Sequence, residues 1–198
     1  MEPPNQAEAE SPDDIALMLR VKGGDEAAFQ ELVERHQYRI IGTVAKMLGS
    51  ESDAEDIAQQ VFVRVWQSAP RYQPDAKFTT WLLTITRNLV FNEMRRRRRS
   101  KLVAMESEDD ERRFEQFADA GAKSARELAS EAELQAAISR EIAALPEAQR
   151  MAVILRRFEE MPYEEIAKVL GTSVPSVKSL LFRARTELRS RLAGFLSD

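Results

Sequence analysis

The sequence predicts an all-α protein of two small helical domains joined by an acidic flexible linker. Three observations carry that expectation. Apolar residues recur at helical spacing almost throughout, and strict alternation occurs nowhere. Gly and Pro number only 7 and 8 in 198 residues, while Ala, Leu, Glu, Arg and Gln are plentiful. Between residues 100 and 123 the apolar spacing lapses into the charge block MESEDDERR, which reads as solvated chain.

The elements follow in order. Residues 1–12 are expected to be a disordered acidic tail, the opposite in character of a signal peptide. A first helical stretch, Ile15 to Val21, ends at Gly23-Gly24. Asp25 then N-caps a helix carrying Phe29, Leu32, Val33, Ile40, Ile41, Val44 and Leu48, which Gly49 closes. His36 is expected on its surface. Ser52 or Asp53 caps the next helix, where Ile57, Val61 and Val65 recur every four residues and Phe62 and Trp66 flank them. After a turn at residues 69–74, a helix runs from about Phe78 to Arg98, aromatic at its start and basic at its end. The N-terminal domain is thus expected over 13–99, the linker over 100–129 and the C-terminal domain over 130–198. In the last, Pro146 breaks the helical pattern, and Met151, Ile154, Leu155 and Phe158 form a new stripe.

Composition excludes several functions. Without cysteine there are no disulfides or thiolate metal sites, and one histidine makes an imidazole metal site improbable. No nucleophile–base or metal-ligand constellation occurs, so no catalytic residue, metal or cofactor is expected. No apolar run approaches the ~18 residues of a membrane helix, and a cytoplasmic protein without membrane insertion is expected. The net charge of −4 hides strong segregation. Residues 1–14 carry five acids and no base, residues 87–101 seven bases against one acid, and residues 106–133 ten acids against four bases. Such a chain presents separate surfaces to separate partners.

The segment PYEEIAKVLGTSVPSVKSLLFRARTELRSRL has the form of a helix-turn-helix. Tyr163, Ile166, Ala167 and Leu170 line a short helix, and Gly171 supplies the tight turn. Thr172 or Ser173 caps the second helix, with Pro175 in its first turn. Val177, Leu181, Ala184 and Leu188 share one face; Ser176, Ser179 and Arg183 lie opposite, flanked by Lys178 and Phe182. A solvated amphipathic helix would show the same periodicity. The short leading helix, the glycine turn and the small-polar-plus-Arg face favour DNA binding: hydroxyls permit close approach, Arg reads guanine or grips phosphate, and Phe meets a thymine methyl.

At this point the chain resembles a known family along nearly its whole length. The run from Ala144 to Leu188, with Leu145-Pro146, Tyr163 to Ala167 and Phe182 to Arg185, is similar to the C-terminal domain of extracytoplasmic-function (ECF) sigma factors. GDEAAFQELVERHQYRI, AEDIAQQVFVRVWQ and FTTWLLTITRNLVFNEMRRRRR resemble, in that order, the segments of the sigma N-terminal domain. The resemblance implies an RNA polymerase subunit that recognises −10 and −35 promoter elements and promotes strand opening. Its implied partners are core RNA polymerase, promoter DNA and, as in many members, an anti-sigma factor.

The resemblance also assigns residues. Asp56, Gln59, Gln60 and Val63 would dock on core polymerase, although the family usually has Gln-Glu where this chain has Gln59-Gln60. Ser176, Lys178, Ser179, Phe182 and Arg183 would bind the −35 element. For the −10 element the candidates are Tyr72, Phe78, Trp81, Asn88, Asn92 and Arg95, since aromatic faces can replace lost base stacking. Burial in the core is the competing role for Phe78 and Trp81, and the loop from about Tyr72 to Thr80 is the better specificity candidate. Two rival functions remain open on the residues alone: a stand-alone helix-turn-helix regulator and a helical adaptor that binds only protein.

Overall fold

The computed structural model describes residues 12–105 and 125–193. The acidic tail and most of the expected linker fall outside them. The described elements are all helical. They are α1 (Pro12–Lys22), α2 (Glu26–Leu48), α3 (Ser52–Ser68), a 3₁₀ turn (Ala69–Arg71), α4 (Phe78–Met105), α5 (Ala125–Ala143), α6 (Glu147–Arg157), α7 (Tyr163–Leu170) and α8 (Val174–Arg191).

Local chemistry sets most boundaries. Asp25 accepts the Ala28 amide at 3.0 Å, satisfying one of the free donors that open α2. That bond, with the Arg20 guanidinium beside it, holds the Asp25 carboxyl below its usual range. At the other end Gly49 adopts φ 70°, and its amide returns to the Ala45 carbonyl. The start of α3 differs from expectation. Neither Ser52 nor Asp53 caps it; Glu51 precedes the helix without a side-chain cap, and Asp53 reaches Arg97 on α4 at 2.9 Å.

Helix α4 runs past the expected end near Arg98, so residues 100–105 continue the helix; α5 begins at Ala125, next to Ser124, where helical spacing returns in the sequence. Five adjacent arginines would repel one another without internal acids. Glu93, 8% exposed, takes Arg96 and Arg97 one turn on, and Asp53 takes Arg97 from across the bundle. Chiefly through Arg96, the Glu93 carboxyl is pushed down to about 2.

Helices α1 to α4 pack around Leu32, Ile40, Val44, Met47, Val61, Val65, Phe78 and Leu82. Helices α5 to α8 pack around Leu145, Met151, Ile154, Leu155, Ile166, Val169 and Val177. The two halves do not stand apart: α2 packs on α6 and α4 on α7, and their buried side chains join in one apolar cluster.

His36 is not a surface residue. It is 7% exposed, and its Nε2 lies 2.9 Å from Asp14 Oδ2 of α1. The spacing Leu32, His36, Ile40 places it on the core face of α2. A buried imidazole needs a polar partner there, and α1 supplies one from 22 residues upstream.

The Glu93 geometry has an acid-side consequence. A depressed carboxyl contributes stability above its unfolded value of 4.5, and that contribution is lost as pH falls through about 2. Glu93→Gln is therefore expected to lower the melting temperature at neutral pH and to flatten the acid limb of stability, as followed by circular dichroism. An acid limb identical to the parent's would contradict this role.

Candidate nucleic-acid interface

The helix-turn-helix forms as its chemistry requires. In α7, Ile166, Ala167 and Val169 are buried, while Tyr163 and Leu170 are half-buried beside them. Gly171 takes φ 64°, so its amide and that of Thr172 can bond the last carbonyls of α7. Ser173, not Thr172, caps α8: its hydroxyl accepts the Ser176 amide at 3.3 Å. Val177 and Ala184 are fully buried, and Leu181 and Leu188 half-buried.

That packing leaves the opposite face of α8 to solvent. Lys178, Ser179, Phe182 and Arg183 are exposed, and Ser176 is half-buried, its hydroxyl 3.0 Å from that of Ser173. Phe182 is 71% exposed, with no internal packing to account for an aromatic there. The five −35 candidates thus lie along one outward surface, with a small-residue approach at the helix start and an arginine at its centre.

The −10 candidates separate into two groups. Asn88, Asn92 and Arg95 lie one turn apart on the exposed side of α4, and Arg95 donates to Asn92 Oδ1 at 2.9 Å. The aromatic candidates lie inside. Tyr72 and Phe78 are 1% and 0% exposed, and only Trp81 is partly open. In this conformation Tyr72 and Phe78 offer no face to a base. They instead wedge Trp81, whose ring centroid is 4.9 Å from Tyr72 and 6.0 Å from Phe78.

The layer beneath them escapes the sequence reading. His36 sits 5.3 Å from the Phe78 ring, and Lys22 Nζ donates to the Tyr72 carbonyl at 2.9 Å. Helix α1 therefore supports this segment at both ends, through Lys22 and through Asp14 and His36; residues 78–80, expected in the loop, form the first turn of α4 instead.

On α3, Asp56, Gln59, Gln60 and Val63 are exposed, opposite the buried Ile57, Val61 and Val65. Asp56 and Gln60 line a groove toward Asn92, Glu93 and Arg96 of α4, and Gln59 and Val63 border an open cleft of about 980 Å³ between α2 and α3. Its apolar floor contains Phe29, Val33, Ile41 and Phe62, and its rim contains Tyr38, 78% exposed, and Trp66. A second open groove, about 1050 Å³, lies between α5, α6 and α8 and is lined by Ile138, Ile142, Leu181, Leu188 and Leu192. Tyr38 and these two grooves were not among the sequence candidates. The signal was present in apolar residues beyond what one stripe per helix needs.

Among the described residues no His, Cys, Asp or Glu cluster could hold a metal ion, and no helix is long and apolar enough to cross a membrane.

Comparison with known proteins gives consistent matches. The family profile described as sigma-70 region 2 matches residues 32–100, and the profile described as sigma-70, region 4 matches residues 135–188. The RNA polymerase sigma-H factor of Pseudomonas aeruginosa is 32% identical over 186 residues, covering 93% of this chain and 96% of that protein. The ECF RNA polymerase sigma-E factor of Escherichia coli is 32% identical over 187 residues, covering 90% and 94%. Among solved structures, CnrH in complex with the cytosolic domain of CnrY superposes with a TM-score of 0.67 at 26% identity, covering 92% of this chain and 99% of that one. The sigma factor RpoE of Bartonella quintana, solved with the anti-sigma factor NepR, shares the fold at a TM-score of 0.64 and 22% identity, covering 83% and 96%.

The support beneath the 72–80 loop is testable by acid titration. Burial pushes the His36 pKa below its ordinary 6.5; Asp14 opposes that shift, and Arg39 and Arg35 reinforce it. The folded state therefore favours neutral His36, and stability is lost as pH falls below 6.5 toward the lowered folded value. His36→Gln, which keeps a donor but does not titrate, is expected to flatten thermal stability over that window. A parent melting temperature independent of pH there would contradict the assignment.

Proposed function

The chain belongs to the extracytoplasmic-function group of RNA polymerase sigma factors, and we propose that its two outward helix faces divide promoter reading between them. As a sigma factor it works with core RNA polymerase on promoter DNA, which disfavours the stand-alone regulator and the protein-only adaptor.

The observation that carries the division is the outward face of α8. Phe182 and Arg183 project from a helix anchored by Val177 and Ala184, beyond a glycine turn, with small hydroxyls at the entering end. In this reading α8 enters the major groove of the −35 element, Arg183 contacts a base or phosphate, and Phe182 meets a thymine methyl. Asn88, Asn92 and Arg95 contact the −10 strand, with Arg95 holding the Asn92 amide oriented. Trp81 is the aromatic placed to stack on an unpaired base; Tyr72 and Phe78 support it from within the core.

Core polymerase docks on the exposed face of α3 formed by Asp56, Gln59, Gln60 and Val63, of which Gln59 and Val63 border the α2–α3 cleft. An apolar floor with polar edges suits an amphipathic helix of the partner. The chain has no catalytic role of its own in this scheme and works in the cytoplasm, where the polymerase performs the chemistry. An anti-sigma factor is the further partner proposed, in keeping with the capture of CnrH on the cytosolic domain of CnrY.

The direct test is transcription from a genomic template library by core polymerase with and without the protein. Promoter-specific transcripts that depend on the protein are expected; an unchanged transcript set would refute the reading. Within that assay, Arg183→Ala should keep the fold and lose ~1–3 kcal/mol of −35 binding, with relaxed discrimination at one base pair. Asn92→Ala should leave −35 binding intact and reduce permanganate reactivity of unpaired thymines. Equal loss of both signals in both variants would remove the proposed division.

A further inference from the structure

We propose that His36, clasped between Asp14 and the Phe78 ring, is a positioning residue for strand opening: it fixes the pose in which Trp81 stacks on an unpaired base, and protonation of its ring withdraws that pose. The inference rests on the role of Trp81 proposed above and names what sets it.

Trp81 is the partly open member of a cluster whose other two rings are buried. Both of those flanking rings are fixed by α1. On one side stands Tyr72, its ring centroid 4.9 Å away, whose carbonyl accepts from Lys22 Nζ at 2.9 Å. On the other stands Phe78, 6.0 Å away, which meets the His36 ring at 5.3 Å. Asp14 Oδ2 lies 2.9 Å from His36 Nε2, and Asp14 Oδ1 accepts from Arg35 Nη1 at 3.1 Å. Asp14 and His36 are both buried, so this pair sits within the packed interior rather than on it. Close-packed interiors pass small displacements on, because few voids absorb them. A shift of the imidazole is therefore a shift of Phe78, and a shift of Phe78 moves Trp81.

The charges around His36 decide what moves it. The Asp14 carboxylate is an acceptor, so the neutral ring donates to it through Nε2. A further proton from solvent goes to Nδ1 and makes the ring a cation. Around it stand Asp14 on α1, Arg35 and Arg39 on α2, and the uncharged Phe78 ring on α4. Burial opposes the cation most, and Arg39 and Arg35 add to that opposition; Asp14 favours it but is outweighed. A charged ring is relieved by moving toward water, which removes the support under Phe78. The neutral form is thus the one that opens promoters. Opening declines as pH falls below 6.5 through the lowered His36 value. Helix α8 packs on α5, α6 and α7, so −35 binding stays outside this control.

The chain has one histidine and two tryptophans, so each ring can be followed alone. In the free full-length protein, the His36 Cε1–H resonance gives the titration midpoint by NMR. The Trp81 indole N–H, assigned with Trp66→Phe, is expected to shift with that same midpoint. In His36→Gln, which keeps a donor for Asp14 but takes up no proton, the Trp81 signal should stay constant. Asp14→Asn removes the charge that favours the cation, so both midpoints should move together to lower pH. With core polymerase and promoter, permanganate reactivity of −10 thymines is compared between parent and His36→Gln at each pH, which cancels the polymerase's own response to acid. That ratio is expected to fall by about half at the midpoint and about tenfold one pH unit below it, because only the neutral form is competent. The corresponding ratio for −35 binding should not change. A Trp81 signal that stays constant through the His36 midpoint would overturn the proposal, as would a pH-independent opening ratio. So would a His36 that takes up its proton only as helical circular dichroism is lost, which would make its role merely structural. A folded Trp81→Leu variant that opens promoters normally would refute the stacking role instead, and the NMR titration would still decide whether His36 sets the pose of Trp81.

Discussion

Helix α2 is the hub of the packing, and much of the structure follows from that constraint. Helices α1, α3, α4, α5 and α6 all contact it, so most of its faces lose water, while Tyr38 stays open to solvent. Leu32, Ile40, Val44 and Met47 gain from this, but His36 and Thr43 do not unless each finds a polar partner. Asp14 of α1 serves His36, and Glu159 of the other half serves Thr43. The first pairing lies beneath the aromatic cluster of Tyr72, Phe78 and Trp81, and the second lies in the seam between the halves. Two polar residues on one helix thus tie the cluster and the seam to a shared support.

The arginine run shows how local pairing turns a repulsive sequence into a usable surface. Glu93 and Asp53 neutralise Arg96 and Arg97 from within, and Arg98 is taken by Glu147. Arg95 is instead bound to Asn92 on the outward side of α4. Three of the five arginines are thus paired with acids while most of the run stays at the surface, and Arg95 is the one that faces the same way as the asparagines. Pairing of this kind lowers the net charge that the run presents.

Helix type, the glycine turns and the helix-turn-helix were legible because they depend on neighbours in sequence. Asp25, Gly49, Gly171 and Ser173 act over at most four residues, and the stripes of α3 and α8 are local periodicities. The misses share a different cause. His36 looked exposed because its partner lies across the Gly23-Gly24 break. Asp53 looked like a cap because its partner Arg97 is 44 residues downstream. The end of α4 was placed too early because apolar spacing lapses after the arginines, while the pairing of Arg96 and Arg97 with Glu93 that carries the helix on is not visible in that spacing. Tyr72 and Phe78 were offered as base-contacting groups, with burial already set against Phe78. Aromatic character alone does not say which side of a loop is covered. The seam depends entirely on contacts between residues far apart in the chain, among them Glu159 with Arg39 and Glu165 with Thr80.

The central claim is a division of labour between two outward helix faces, α8 for the −35 element and the exposed side of α4 for the −10 element. Its most direct test is a crosslink map. A photocrosslinking phenylalanine analogue placed at Phe182 of α8 or at Asn92 of α4, both exposed positions, reports the DNA that each face meets in a complex with core polymerase and promoter. The account predicts crosslinks to the −35 element from position 182 and to the −10 element from position 92. Crosslinks from both positions to the same element, or to protein alone, would contradict it.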